Sequence, residues 1–219
     1  MAPLVTLLSD FGYEDSFVGA MRGVILGRCP TARLVDLTHG VPPQDVRHGG
    51  WQLHRAWPCF PAGTIHCAVV DPGVGSDRRV LAARVAGQTI VCPDNGLLDL
   101  ARGEHTPEQV VIVDRPDLYR RPVSATFHGR DIFAPVSGFL AAGGGLDELG
   151  ETTDDWIRAD LPRAIISEDR CSGTLVCHDG FGNLITNLPA DHAFAAIEWQ
   201  GRRFPAAPCY AAMATGEAL

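Results

Sequence analysis

Three carboxylates in this chain, Asp10, Asp71 and Asp94, each follow a short apolar run and each opens a turn. The runs are Pro3-Leu4-Val5-Thr6-Leu7-Leu8, Thr64-Ile65-His66-Cys67-Ala68-Val69-Val70 and Thr89-Ile90-Val91-Cys92. Carboxylates beside tight turns suit a ligand carrying hydroxyl groups and positive charge, and suit a bare phosphate poorly. Asp also starts turns by bonding its own backbone, which explains one such turn more readily than three. Arg78 follows Asp71 by seven residues, across Pro72-Gly73-Val74-Gly75. That loop can fold back so that carboxylate and guanidinium meet in a charge-assisted pair. The plainer alternative is a surface ion pair of small worth, and the place of Asp71 at the end of an apolar run argues against it. His128 stands in Thr126-Phe127-His128-Gly129-Arg130-Asp131, a loop of the kind where catalytic groups commonly sit. Local sequence leaves it equally open to a catalytic and a structural role. Asp179-Gly180-Phe181-Gly182-Asn183 and the following Leu184-Ile185-Thr186-Asn187 are dense in turn formers and carboxamides. A tight turn explains both glycines; the carboxylate, aromatic ring and asparagines could bind an amino-acid head group and stack on a base.

These residues need elements that bring them together. Near-continuous apolar runs bounded by Gly, Pro and Asp read as strands buried on both faces of a mostly parallel sheet. Ligands of such sheets bind at the carboxyl ends of the strands, so three parallel strands would bring Asp10, Asp71 and Asp94 to one crevice. After the first strand, Asp15-Ser16 can cap a helix through Phe17, Val18, Met21, Val24 and Ile25, stopped by Cys29-Pro30. Residues 33–37 read as a second strand, and Asp45 opens a second helix that Pro58 stops. Residues 80–85 and 89–92 flank Gly87-Gln88 as a hairpin, so the sheet is expected to be mixed. Another strand is expected at 109–113 and a helix at 131–142, ended by Gly143-Gly144-Gly145. The acidic stretch 151–162 reads as a connector. Beyond it come short strands joined by tight turns, with Gln200-Gly201 as one hairpin turn. The expected organisation is therefore an α/β domain over 1–162 and a smaller β domain over 163–219.

Composition bounds what the chain can do. Its 219 residues are 46% hydrophobic and 20% charged, with formal net charge −8. That balance suits a globular core and argues against nucleic acid as the main partner, since phosphate backbones need clustered Lys and Arg. No run approaches the length of a membrane span and no basic leader precedes Asp10, so the expected location is the cytoplasm. Seven cysteines, Cys29, Cys59, Cys67, Cys92, Cys171, Cys177 and Cys209, lack the close spacing of a zinc or redox site and are read as reduced and structural. Eight histidines include no His-Glu-x-x-His pair, so no metal is expected. Gly73-Val74-Gly75 lacks the third glycine of a dinucleotide loop and the Gly-Lys-Ser/Thr of a phosphate loop.

Taken in order, seven blocks form a distinctive set. They are Ser9-Asp10-Phe11-Gly12, Asp15-Ser16-Phe17-Val18-Gly19 with Met21 and Gly23-Val24-Ile25, and Asp36-Leu37-Thr38-His39. Asp71-Pro72-Gly73-Val74-Gly75 with Arg78, Pro93-Asp94-Asn95-Gly96-Leu97-Leu98, Phe127-His128-Gly129-Arg130-Asp131, and Phe181-Gly182-Asn183-Leu184-Ile185-Thr186-Asn187 complete it. Over residues 4–187 the chain resembles the S-adenosylmethionine (SAM) hydroxide adenosyltransferases, or SAM hydrolases, relatives of SAM-dependent fluorinase and chlorinase. The resemblance implies an α/β N-terminal domain, a β-barrel C-terminal domain, and a homotrimer whose site lies between one subunit's N-domain and a neighbour's C-domain. The implied reaction is substitution at C5′ of the SAM ribose by water, giving adenosine and methionine, with SAM as substrate and no cofactor. Asp71, Arg78 and His128 match the family's water-holding triad. Asp10 matches the carboxylate that accepts the ribose hydroxyls. Asp15, Asp179 and Asn183 match positions near the methionine portion, and Asn95 and Phe181 are expected wall residues. Halogenating relatives carry an uncharged residue at the position of Asp71, where a carboxylate would repel a halide. A SAM-dependent halogenase and a non-catalytic SAM or adenosine sensor are the competing expectations. Family members usually extend past the last residue of this sequence, so the barrel is expected to be incomplete and the adenine contacts cannot be placed.

Overall fold

The apolar runs become the centre of a seven-stranded sheet. In the computed structural model, which describes residues 2–162, 164–167, 170–189 and 194–206, the strands of this sheet are β1 (Leu4–Ser9), β2 (Arg33–Thr38), β3 (Ile65–Val69), β4 (Val80–Val85), β5 (Gln88–Pro93), β6 (Gln109–Val113) and β7 (Gly150–Thr152). Their order is β2-β1-β3-β5-β4-β6-β7. β2, β1, β3 and β5 run parallel, and β4 joins β5 and β6 antiparallel, so the sheet is mixed as expected. The β4–β5 hairpin turns on Ala86 and Gly87, both in the left-handed region (φ 47° and 73°), which matches the right-handed twist of the strands it joins.

Four helices cover the sheet: α1 (Phe17–Arg28), α2 (Val46–Ala56), α3 (Leu97–Arg102) and α4 (Ala134–Ala141). Side chains alternate across each strand, so β1 sends Val5 and Leu7 into a core with Met21, Ile25 and Val136, and Leu8 into another with Leu53, Trp57 and Leu97. α1 and α4 pack together, as do α2 and α3, which gives the sheet a helical layer on each face. Asp45 caps α2 by accepting from the His48 amide at 2.9 Å. Ser16 flanks α1 without a side-chain cap bond, unlike the capping expected of Asp15-Ser16.

Three expectations need correction. The helix expected to begin at Asp131 is preceded by a π-helical turn, Gly129–Phe133, which carries the chain out of the His128 loop. α3 was not foreseen: six residues are too few to show a helical period. The stretch read as a plain connector supplies β7 and then stays on the first unit. There the Ile157 amide donates to Asp94 Oδ1 at 2.8 Å and the Ala159 amide to Asp99 Oδ2 at 3.1 Å, while Trp156 packs against the core beneath α2 and α3.

The chain divides into two compact units, Met1–Asp160 and Leu161–Leu219. The second is all-β among its described residues. β8 (Ile165–Ile166) pairs with β9 (Cys171–Ser172), β10 (Leu175–His178) with β11 (Leu184–Thr186), and β12 (Ala196–Trp199) with β13 (Arg202–Pro205), in three separate antiparallel ladders. Six cysteines are free, and Cys209 lies outside the described residues. Burial pushes the Cys67 thiol up to about 12, where it is inert at neutral pH. No helix among the described residues is long and apolar enough to cross a membrane.

A buried polar ladder crosses the three strands that matter most. Thr6 on β1 meets His66 Nδ1 on β3 at 2.7 Å, and His66 Nε2 meets Gln88 on β5 at 2.8 Å. Burial lowers the His66 pKa below its ordinary 6.5, and burial likewise lowers that of His39 despite the nearby Asp36. The folded protein therefore resists protons that the unfolded chain accepts from about pH 6.5 downward. Stability from these two histidines is complete above that pH and declines as pH falls towards their folded values. The thermal unfolding midpoint is expected to fall between pH 7 and pH 5, with a shallower fall in His66→Gln. A flat midpoint across that interval would contradict the neutral buried imidazoles.

Candidate active site

The parallel run of β1 and β3 brings their ends side by side, and Asp10 and Asp71 line one cavity of about 270 Å³. The third carboxylate does not join them. Asp94, at the end of β5, is buried, with Oδ2 bonded to Arg79 Nε at 2.7 Å and Oδ1 accepting the Ile157 amide. It anchors chain, and the expected convergence holds for two carboxylates of three. Asn95 is also engaged elsewhere: its Nδ2 donates to the Val70 carbonyl at 2.8 Å and its Oδ1 accepts from the Leu97 amide at 3.2 Å. It ties the end of β3 to the start of α3 and is not among the cavity's lining residues.

The loop after β3 folds back through two successive turns. The Val74 amide bonds the Asp71 carbonyl, and the Ser76 amide and hydroxyl both bond the Gly73 carbonyl. Arg78 thereby returns to Asp71. Its Nε donates to Oδ1 and Oδ2 at 2.9 and 3.1 Å, and Nη2 to Oδ2 at 2.5 Å. Their side chains are only 9% and 5% exposed, so this is not a solvated surface pair. The guanidinium lies 5.0 Å from the Phe133 ring centroid.

Arg78 Nη2 also reaches His128 Nδ1 at 2.9 Å. A guanidinium can only donate, so Nδ1 must accept, and the neutral ring carries its proton on Nε2. Burial, then the Arg78 charge, lowers the His128 pKa below its ordinary value, which agrees with a neutral ring. The His128 loop is set by buried Asp131, which accepts the Ser124 amide at 2.8 Å and pairs with Arg130 at 2.7 Å. Asp71 and His128 line the cavity, and Arg78, which is not among the lining residues, connects them, although it stands fifty residues before His128 in the chain.

Asp10 is held from a different direction. Its Oδ2 accepts the Gln44 amide at 2.8 Å, and Gln44 itself lines the cavity with φ +65°. A non-glycine residue in that region carries strain that functional loops often retain. The only sequence signal for it is the turn-rich Pro42-Pro43-Gln44-Asp45. Phe11, Phe17 and Phe127 complete one side as an aromatic triangle, with centroids 4.9 to 5.9 Å apart. A Cβ on Gly129 would stand 3.0 Å from the Phe11 ring, so glycine is what lets the ring lie against the π-helical turn.

Asp15 is exposed on the approach to α1 and is not among the lining residues. Asp179, Phe181 and Asn183 share one turn of the second unit. Asp179 Oδ1 accepts the Phe181 and Asn183 amides, both at 2.9 Å, and Oδ2 accepts Asn183 Nδ2 at 2.6 Å. The turn leaves Phe181 94% exposed. Among the described residues, no group of three or more His, Cys, Asp or Glu is placed to hold a metal ion.

Residues 5–150 match the SAM hydroxide adenosyltransferase N-terminal domain. The (R)-S-adenosyl-L-methionine hydrolase of Thermus thermophilus is 39% identical over 92% of this chain and 80% of its own length. The hydrolase of the same name from Salinispora arenicola is 40% identical over 83% of this chain and 70% of its own. Fluorinases match at lower identity. A crystal structure of an uncharacterized conserved protein from Thermotoga maritima superposes with a TM-score of 0.90 at 30% identity, covering 97% of this chain and 86% of that one. Matched in these ways over most of its length, the chain belongs to the SAM hydroxide adenosyltransferase family.

Proposed function

We propose that this chain hydrolyses S-adenosyl-L-methionine. Water attacks C5′ of the ribose, the C5′–S bond breaks with its electron pair going to sulfur, and adenosine and L-methionine are released. The observation that carries the reading is one guanidinium, Arg78, joining two groups that line the cavity with Asp10: the Asp71 carboxylate and the His128 ring. Relatives named (R)-S-adenosyl-L-methionine hydrolase support it.

The chemistry asks little acid help, because a sulfonium leaves as a neutral thioether. It asks for an oriented oxygen nucleophile behind the C5′–S bond. The tautomer of His128 supports one division of roles. Nε2–H donates to a lone pair of the attacking water, so the ring orients that water and does not take its proton. Asp71 Oδ1, bonded once by Arg78, keeps acceptor capacity and receives the proton as the C–O bond forms. Arg78 supplies fixed positive charge beside the oxygen as it becomes more basic. Asp10 accepts the ribose hydroxyls and sets the carbon in line. A carboxylate at position 71 faces the place a halide would need, so water is preferred over chloride or fluoride.

The proposal includes a homotrimer, supported by the exposed Phe181 ring, and a cytoplasmic setting, supported by free cysteines throughout the described residues. Incubation with SAM in oxygen-18 water tests the reaction. Label is expected at the 5′ oxygen of adenosine. Unlabelled adenosine, or 5′-chloro-5′-deoxyadenosine as main product when chloride is added, would refute it.

A further inference from the structure

Asp36, His39 and Ser9 stand in a row that looks hydrolytic, yet none of the three lines the cavity. Ser9 Oγ and His39 Nδ1 are 2.6 Å apart, and both residues are buried almost completely. A serine so enclosed meets no substrate. What Ser9 Oγ does meet is the Phe11 amide, which donates to it at 3.3 Å, while the Gly12 amide donates to the His39 carbonyl at 2.8 Å. Asp10 lies between these two bonds, on a turn whose Gly12 has φ +66°.

The protons in this row have one consistent arrangement. His39 Nε2 faces Asp36 Oδ1 at 3.4 Å, a long contact whose pull is mainly electrostatic. A carboxylate on that side favours Nε2–H, which leaves Nδ1 as acceptor for the Ser9 hydroxyl proton. Ser9 then keeps its lone pairs for the Phe11 amide. The carboxylate itself is clamped: Tyr13 donates to Oδ2 at 2.7 Å, and Arg22 bonds both oxygens. Burial alone raises the Asp36 carboxyl pKa, but bonds from Arg22 and Tyr13 and the nearby His39 outweigh it and hold it at about 2. The Tyr13 ring closes over His39 edge-on, at 5.1 Å.

We propose that Asp36, His39 and Ser9 form a positioning relay that fixes the Asp10 turn, and through it the grip of this site on the substrate's hydroxyl groups. The relay rests on the reading of Asp10 as the ribose-binding carboxylate. Its work is to hold the turn after β1 from the end of β2, the strand paired with β1 along the sheet. Ser9 is therefore a hydrogen-bond hub for the backbone, and the resemblance to a nucleophilic triad is one of order only.

The relay makes a directional prediction that packing does not. His39→Asn keeps an acceptor near the Nδ1 position and can still receive the Ser9 proton. His39→Gln fills the pocket better but carries its polar atoms towards Asp36 and leaves Ser9 without a partner. Steady-state SAM hydrolysis and calorimetric binding of adenosine are measured for both, for Ser9→Ala, and for Asp10→Asn, with thermal midpoints alongside. KM and the adenosine Kd are expected to rise about tenfold in His39→Gln and Ser9→Ala, with His39→Asn within about threefold of the parent and kcat changed less than KM. Equal constants for the Asn and Gln variants, losses that follow size alone, or a loss confined to kcat would overturn the relay. Ser9→Ala decides the matter if a His39 variant does not fold. If Asp10→Asn leaves KM and Kd unchanged, the reading of Asp10 fails and the relay's purpose with it; if Asp10→Asn weakens binding and the relay variants do not, only the relay falls.

Discussion

Arg78→Met is expected to lower kcat/KM for SAM about a thousandfold, the upper range for removing one preorganised charged donor. Two losses combine in that substitution. Asp71, only 5% exposed, loses the cation that bonds both its oxygens, and His128 loses the donor that fixes its tautomer. Either ring tautomer then becomes available, and the Nε2–H proposed to orient water is no longer enforced. Breaking a buried pair from one side also destabilises the fold by about 3 kcal/mol, so the assay belongs well below the variant's own melting temperature. Arg78→Lys separates charge from geometry. A lysine ammonium is a point donor on a flexible stem and cannot span Asp71 and His128 as the planar fork does. It should stay about a hundredfold below the parent, even though the charge is kept. Retention of a tenth of parental activity in either variant, in a folded protein, would show that the guanidinium does not organise the reaction.

Much of this arrangement was legible before any coordinates, and the reasons differ by residue. Asp10 and Asp71 were visible because an apolar run ending in Asp-containing turns states both the burial of a strand and the side on which it ends. Asp94 carries the same signature and does something else. Its partners are Arg79, fifteen residues back, and the amide of Ile157, sixty-three residues on. Nothing local distinguishes a carboxylate facing a cavity from one that accepts a distant backbone amide. Gln44 was missed because its contribution is a main-chain amide in a left-handed conformation, which side-chain chemistry does not advertise. His39 stands in no metal-ligand pattern, and nothing beside it in the sequence announces a role. Its consequence lies in the turn it holds, through Ser9 and the Gly12 amide.

The same contrast explains the secondary structure. α1 and α2 declare themselves by apolar period and by their stops, whereas α3 has six residues and a glycine before it. The π-helical turn at Gly129–Phe133 is a property of how His128 must leave the wall and enter α4, so it has no composition of its own. In the stretch 151–162, acidity reads only as a connector. The segment instead hands its amides to Asp94 and Asp99, which are acids from other parts of the chain. Charge in a sequence identifies what needs a partner, and only the fold says where the partner is.

Gly75→Ala is expected to cost the protein both stability and most of its SAM turnover. Gly75 sits at φ +81°, where a side chain is strained, and a Cβ there would stand 2.4 Å from the Ala125 carbonyl oxygen. Backbone meets backbone at that point, so no flexible side chain can yield. The collision falls between the two halves of the site: Gly75 belongs to the loop from Asp71 to Arg78, and Ala125 stands three residues before His128. Relief requires the loops to part by a substantial fraction of an ångström, which stretches the 2.9 Å bond from Arg78 to His128. A displacement near 1 Å in a catalytic arrangement costs about a hundredfold, and the strain adds about 2 kcal/mol of lost stability. Gly63→Ala is the fitting control, because Gly63 shares a positive φ of 83° but has open space around its Cβ position. It should lose some stability through strain while keeping kcat/KM near the parental value. If Gly75→Ala turns over SAM as fast as Gly63→Ala, the two loops do not need their close approach, and the group that Arg78 connects is not what drives the reaction.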